Sequence, residues 1–113
     1  MRVIIMFDLP INSSDEKTYY TLFRKNILKL GYFMIQYSIY TKVISSKTMV
    51  EQHINKLKKI IPPWGSIRAI VLTEKQYNDM YVLSGNKKIN EIVNDFDSSY
   101  THMPSNQGLG NYI

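Results

Sequence analysis

An apolar run opens the chain. Val3-Ile4-Ile5-Met6-Phe7 follows Arg2 directly, leads to Asp8, and is closed by Leu9-Pro10. Valine, isoleucine and phenylalanine favour a strand, and an unbroken apolar run predicts one that is buried on both faces. Asp8 then stands at the mouth of a buried strand, where catalytic and metal-binding groups are often displayed. The plainer alternative is that Asp8 only caps the turn before Pro10.

The pattern then changes period. Ser13 and Glu16 have the S-x-x-E spacing of a capping box, and Asp15 and Glu16 suit the positive end of a helix dipole. Tyr19, Phe23, Ile27 and Leu30 predict one apolar stripe on the helix that follows, which Gly31 ends. Residues 32–44 are aromatic and β-branched without glycine or proline, too long for one ordinary strand. They predict a hairpin of strands 32–36 and 38–44 turning near Gln36-Tyr37. Ser45-Ser46 opens a second helix, with Val50, His53, Ile54, Leu57 and Ile61 at helical spacing. His53 falls at the edge of that stripe and reads as a core-edge histidine rather than a ligand. Pro62-Pro63 stops the helix. Residues 66–72 predict a strand, 73–79 a short helical turn, and Met80-Tyr81-Val82-Leu83 a short extra strand. After the break at Ser84-Gly85-Asn86, Ile89, Ile92, Val93 and Phe96 form a short amphipathic piece, and a Ser-, Gly- and Asn-rich end follows. Residues 1–85 are therefore expected to form the domain. Residues 86–113 are expected to be an extension, partly disordered or bound to a partner.

The order strand, helix, strand, strand, helix, strand is the α+β, ferredoxin-like βαββαβ arrangement, with both helices on one face of an antiparallel sheet. The first strand would be central. Two helices cover one sheet face only, yet Val3–Phe7 is apolar on both alternating sets. The uncovered face needs another layer, and a second copy of the chain is the simplest one. A homodimer packed through its sheets is the expectation.

Composition narrows the chemistry. The 113 residues suit one domain, and the absence of cysteine excludes disulfides, thiolate zinc sites and a cysteine nucleophile. No apolar segment approaches the roughly 20 residues of a membrane span, and a cytoplasmic location is expected. Fourteen lysines and arginines against nine acidic residues give a net charge of +5, compatible with a polyanionic partner. The two histidines, His53 and His102, adjoin no serine in a recognisable motif, and no phosphate loop is present. Asp8 remains as an oxygen ligand for a hard cation such as Mg²⁺. Two copies near a two-fold axis could share one ion and activate water against a phosphodiester. Arg24, Lys25 and Lys29 on the first helix could form a phosphate-contacting ridge, or be only a solvated face. Base stacking on sheet aromatics is disfavoured, because Tyr37 and Tyr40 lie an odd number of residues apart and point to opposite faces.

Several segments together resemble the CRISPR-associated protein 2 family, in particular its type II variants. They are Ile4-Ile5-Met6-Phe7-Asp8-Leu9-Pro10, Tyr20-x-x-Phe23-Arg24-Lys25-x-x-Leu28, Gly31-Tyr32, Gln36-Tyr37-Ser38-Ile39-Tyr40-Thr41-Lys42 and Thr73-Glu74-Lys75-Gln76-Tyr77. They cover about residues 1 to 85 in the family's order. The resemblance implies a ferredoxin-like homodimer acting in spacer acquisition. Such a dimer bridges two dimers of the integrase, CRISPR-associated protein 1, and carries double-stranded prespacer DNA. It also implies Mg²⁺-dependent endonuclease activity on single-stranded RNA or double-stranded DNA, with Asp8 as catalytic metal ligand. Two departures stand out. The tail from about Asn86 follows no family pattern, and Thr21 occupies a position where the family often has arginine. A toxin-like metal-dependent ribonuclease of the same fold and a non-enzymatic binding module are the alternatives.

Overall fold

The computed structural model describes residues 1–85. Strand β1 (Arg2–Asp8) is followed by helix α1 (Ser14–Lys29) and the hairpin strands β2 (Phe33–Gln36) and β3 (Ile39–Val43). A single 3₁₀ turn at Lys47–Met49 leads into α2 (Val50–Lys58), and β4 (Ser66–Leu72) and α3 (Glu74–Asn78) complete the described chain. The four strands form one antiparallel sheet in the order β2-β3-β1-β4, so β1 is central, as its apolar run predicts.

Alternation along β1 divides the molecule. Val3, Ile5 and Phe7 point to the helix side and pack with Phe23 and Ile27 of α1, Leu57 of α2, Tyr32 and Tyr40. Arg2, Ile4, Met6 and Asp8 belong to the opposite set. There they share a face with Ile39, Thr41 and Val43 of β3 and Ser66, Arg68, Ile70 and Leu72 of β4. Among the described residues no large helix covers this second face. Its Arg2 end is capped by α3, where Arg2 meets Glu74 at 2.7 and 2.9 Å and lies 4.0 Å above the Tyr77 ring.

The helix starts follow their chemistry. Ser13 and Glu16 form the expected reciprocal capping box, and Thr73 with Gln76 forms a second one that opens α3. Several boundaries differ from the sequence expectations. The stripe on α1 runs through Tyr20 rather than Tyr19, which is 40% exposed and meets Trp64 edge-on. The hairpin turns at Tyr37-Ser38, one residue later than expected, with Ser38 at φ 63°. Ser46 precedes the 3₁₀ turn but its hydroxyl pairs with Thr48 instead of capping, and α2 begins only at Val50. Ile61 lies beyond α2 and is exposed.

One expected element is absent from the described residues. Met80–Leu83 is not a strand. A strand needs a pairing partner, and residues 80–83 register with none of β1–β4. Tyr81 and Leu83 are left 88% and 93% exposed. The amphipathic piece at Ile89, Ile92, Val93 and Phe96 and the rest of the extension 86–113 lie outside the described residues. Among the described residues, no helix is long and apolar enough to cross a membrane.

Candidate nucleic-acid site around Asp8

Asp8 ends β1 with its side chain exposed, paired across the sheet with Ser66 of β4. Three features fix this strand end. The Phe7 ring is held in the core between Phe23, edge-on at 5.1 Å, and Tyr40, stacked at 5.6 Å. The Phe7 amide donates to the Ser38 carbonyl at 3.1 Å, which ties the β2–β3 turn to β1 beside Asp8. Gly65 packs so tightly on the other side that a Cβ there would stand 2.8 Å from the Asp8 carbonyl oxygen and 2.6 Å from Leu9 Cδ2. With φ at +92°, Gly65 also takes a backbone conformation that other residues rarely adopt.

The Asp8 carboxylate accepts no hydrogen bond and joins no ion pair among the described residues. The alternative in which it caps the turn before Pro10 is therefore not what the structure shows. The loop amides of Asn12 and Ser13 are taken by Glu16 Oε1 instead, at 2.8 and 2.9 Å. Asp8 lines a shallow depression of about 420 Å³ together with Met6, Phe7, Tyr37, Ser38, Ile39, Ser66 and Arg68.

The donor set suits a hard cation with most of its coordination open. Among the described residues no three His, Cys, Asp or Glu side chains converge, so one chain offers a single carboxylate, with the Ser38 and Ser66 hydroxyls nearby. Magnesium is commonly held by one or two carboxylates, with substrate phosphates and waters completing the shell. Asp8 alone meets the lower end of that requirement, and two copies would meet the upper.

The resemblance to known proteins agrees with this architecture. Residues 1–80 match the family model described as CRISPR associated protein Cas2. The chain belongs to the Cas2 family. A "CRISPR-associated endoribonuclease Cas2" of Ligilactobacillus salivarius is 45% identical over 94 residues, covering 83% of this chain and 92% of that protein. One of Campylobacter jejuni, with the same name, is 43% identical over 95 residues, covering 84% of this chain and 66% of that protein. A crystal structure of Streptococcus pyogenes Cas2 superimposes with a TM-score of 0.55 at 19% identity, over 74% of this chain and all of that one, and supports the shared fold.

Within this Cas2 fold the other expected contact residues separate. Arg24, Lys25 and Lys29 are all exposed on α1. Arg24 is partly engaged, since its Nε donates to the buried Tyr40 hydroxyl at 2.9 Å. None of the three lines the Asp8 depression. Arg68 and Ser66, which the sequence did not single out, do line it, and so does Tyr37, for which the sequence disfavoured base stacking. A signal for Arg68 was present: it is the one charged residue in Ser66–Leu72, and strand alternation with β1 central puts it on the face of Asp8.

Farther from Asp8, Tyr32 and His53 form a second buried polar pair. The Tyr32 hydroxyl is 2.5 Å from His53 Nε2, with the rings stacked at 5.3 Å. Burial first, then the charges of Lys42 and Lys56, push the His53 pKa below its usual value. Burial pushes that of Tyr32 well up.

Proposed function

We propose that this chain acts as a homodimer in CRISPR adaptation, with Asp8 as the magnesium-holding carboxylate of an endonuclease centre. The dimer bridges two integrase dimers, the CRISPR-associated protein 1 partner, and carries double-stranded prespacer DNA across the assembly in the cytoplasm. The observation that carries this reading is the division of the open sheet face. Ile4, Val43 and Ile70 make one part apolar and suited to a second copy. Asp8, Ser66 and Arg68 make the other end polar.

Cleavage of a phosphodiester adds water across one P–O bond, leaving a phosphate on one fragment and a hydroxyl on the other. A divalent cation supplies charge neutralisation at the phosphate and a water of lowered pKa. Asp8 binds that cation, and the restraints from Gly65, Phe7 and Ser38 keep the carboxylate where a passing phosphate would meet it. The names of the Campylobacter and Ligilactobacillus relatives favour RNA as the cleaved polymer. Arg24, Lys25 and Lys29 are the phosphate contacts proposed for duplex DNA, and the net charge of +5 supports a polyanionic partner.

Asp8→Asn tests both halves. Magnesium-dependent cleavage of single-stranded RNA should fall at least about a hundredfold, as expected when a metal ligand of the catalytic centre is removed. Spacer acquisition in cells that supply the integrase should persist. Cleavage surviving in the variant would remove Asp8 from the reaction. Acquisition lost together with cleavage would make the nuclease, rather than the scaffold, the working part.

A further inference from the structure

The depression at Asp8 contains two groups that metal binding leaves unused. Arg68 stands on the open face of β4 opposite Met6, one cross-strand step from the Asp8–Ser66 pair. Its guanidinium is exposed and makes no hydrogen bond or ion pair among the described residues, Asp8 included. Tyr37 lines the same depression from the β2–β3 turn, with 58% of its surface exposed. The turn that carries it is fixed, because Ser38 is in the left-handed region at φ 63° and its carbonyl accepts the Phe7 amide. The Tyr37 hydroxyl also adjoins that of Tyr20, whose pKa is raised by burial and then by this neighbour. The ring is thus displayed from a tethered position rather than buried beside Tyr40.

A cation, a carboxylate and an exposed aromatic ring around about 420 Å³ make a site of the size expected for one small ligand unit. Guanidinium groups grip a phosphate through paired N–H donors, which a lysine cannot reproduce. An exposed ring can stack on a nucleobase, but only on one splayed from its neighbours; bases in a duplex have both faces covered.

We propose that Arg68 holds a backbone phosphate and Tyr37 stacks the adjacent base of a single strand passing over Asp8, so that the site selects single strands over duplex. The inference rests on the reading of Asp8 as the reacting centre only for where the strand lies; strand binding itself requires no cleavage.

The test is binding of fluorescently labelled single-stranded RNA, and of the same sequence closed as a hairpin duplex, to the full chain in EDTA, where no cleavage occurs. Tyr37→Ala should weaken single-strand binding about tenfold, within the range for one stacked base, and leave duplex binding unchanged. Tyr37→Phe keeps the ring and should bind as the wild type does. Arg68→Ala should weaken single-strand binding, with Arg68→Lys restoring it only in part. Both positions are exposed, and unchanged thermal melting of the variants will show that the fold survives. Equal loss for single strand and duplex, or no loss in Tyr37→Ala and Arg68→Ala, overturns the inference. If those two variants bind normally while Asp8→Asn abolishes cleavage, the nuclease reading stands and this one falls. If no protein cleaves but Tyr37→Ala loses single-strand binding selectively, the outcome is the reverse.

Discussion

A histidine whose Nε2 lies 2.5 Å from a tyrosine hydroxyl, with two lysines nearby, is poorly placed to accept a proton. Burial and the Lys42 and Lys56 charges disfavour the imidazolium, and the Tyr32 phenol keeps its proton, so we assign the hydroxyl as donor to a neutral His53. The folded pKa of His53 therefore lies below the unfolded value of about 6.5. Between the two, the unfolded chain holds a proton that the folded chain does not. Stability from this site is complete above about pH 6.5 and is lost as pH falls toward the folded pKa. Urea unfolding at pH 7.5 and pH 5 should show the loss, and His53→Gln should flatten it. Tyr32→Phe should destabilise by about 1–3 kcal/mol at neutral pH, the cost of a buried acceptor left without its donor. Helical spacing made His53 legible as a core-edge residue, and it is 6% exposed. Its partner was not legible, because Tyr32 arrives from a separate element 21 positions away. The same limit explains Tyr19 and Tyr20. One is four residues and the other three residues before Phe23, and both spacings fit a helical stripe. Only the packing of Tyr20 against Phe7 decides between them.

At the level of elements, the short helix α3 depends on a charged residue inside the sheet. Arg2 is fully buried, its guanidinium gripped in fork geometry by Glu74 and laid over Tyr77. Removing one partner of such a pair leaves a buried charge. Glu74→Ala should cost about 3 kcal/mol, the low end of the usual range because Glu74 is 24% exposed. Chemical denaturation would measure it, and faster hydrogen exchange at α3 amides would localise it. An arginine starting an apolar run reads as the solvent end of a strand, so nothing in Arg2 itself announced this role. The Ser13 box, by contrast, was complete in its local spacing, since both partners lie within one helical turn. Gly65 belongs to this scale as well. Gly65→Ala combines a left-handed backbone with contacts against Leu9 and the Asp8 carbonyl. The conformation alone costs roughly 1–2 kcal/mol for a residue with a Cβ, and the contacts add to it. The end of β1 must shift to relieve them, so nuclease activity should fall more in this variant than its loss of stability accounts for. Activity tracking stability alone, measured on protein kept fully folded in mild conditions, would mean that Gly65 does not position Asp8.

Across the whole molecule, the apolar run of β1 forecast both the central strand and an unfinished sheet face; β1 is central, and among the described residues no large helix covers its second face. What the pattern could not give was the division of that face into an apolar part and a polar end. That division depends on the cross-strand partners Val43, Ile70, Ser66 and Arg68. Met6, Val43 and Ile70 remain 38%, 39% and 45% exposed, as a face awaiting a partner would be. If a second copy covers them, two chains of net charge +5 must approach each other, so electrostatics opposes the association that apolar burial drives. Added salt screens the repulsion and should tighten the dimer. Nucleic-acid binding responds in the opposite sense, weakening with a slope near 0.9 in log affinity per log salt for each duplex phosphate contacted. The opposite signs separate the two associations within one protein. Sedimentation equilibrium should therefore find a micromolar dimer that strengthens between low and moderate salt. Ile70→Glu should loosen it by at least about a hundredfold, because two isoleucines lose burial worth roughly 1.5–3 kcal/mol each and carboxylates take their place. A stable monomer at micromolar concentration, or a dimer indifferent to Ile70→Glu, would leave this face for another partner.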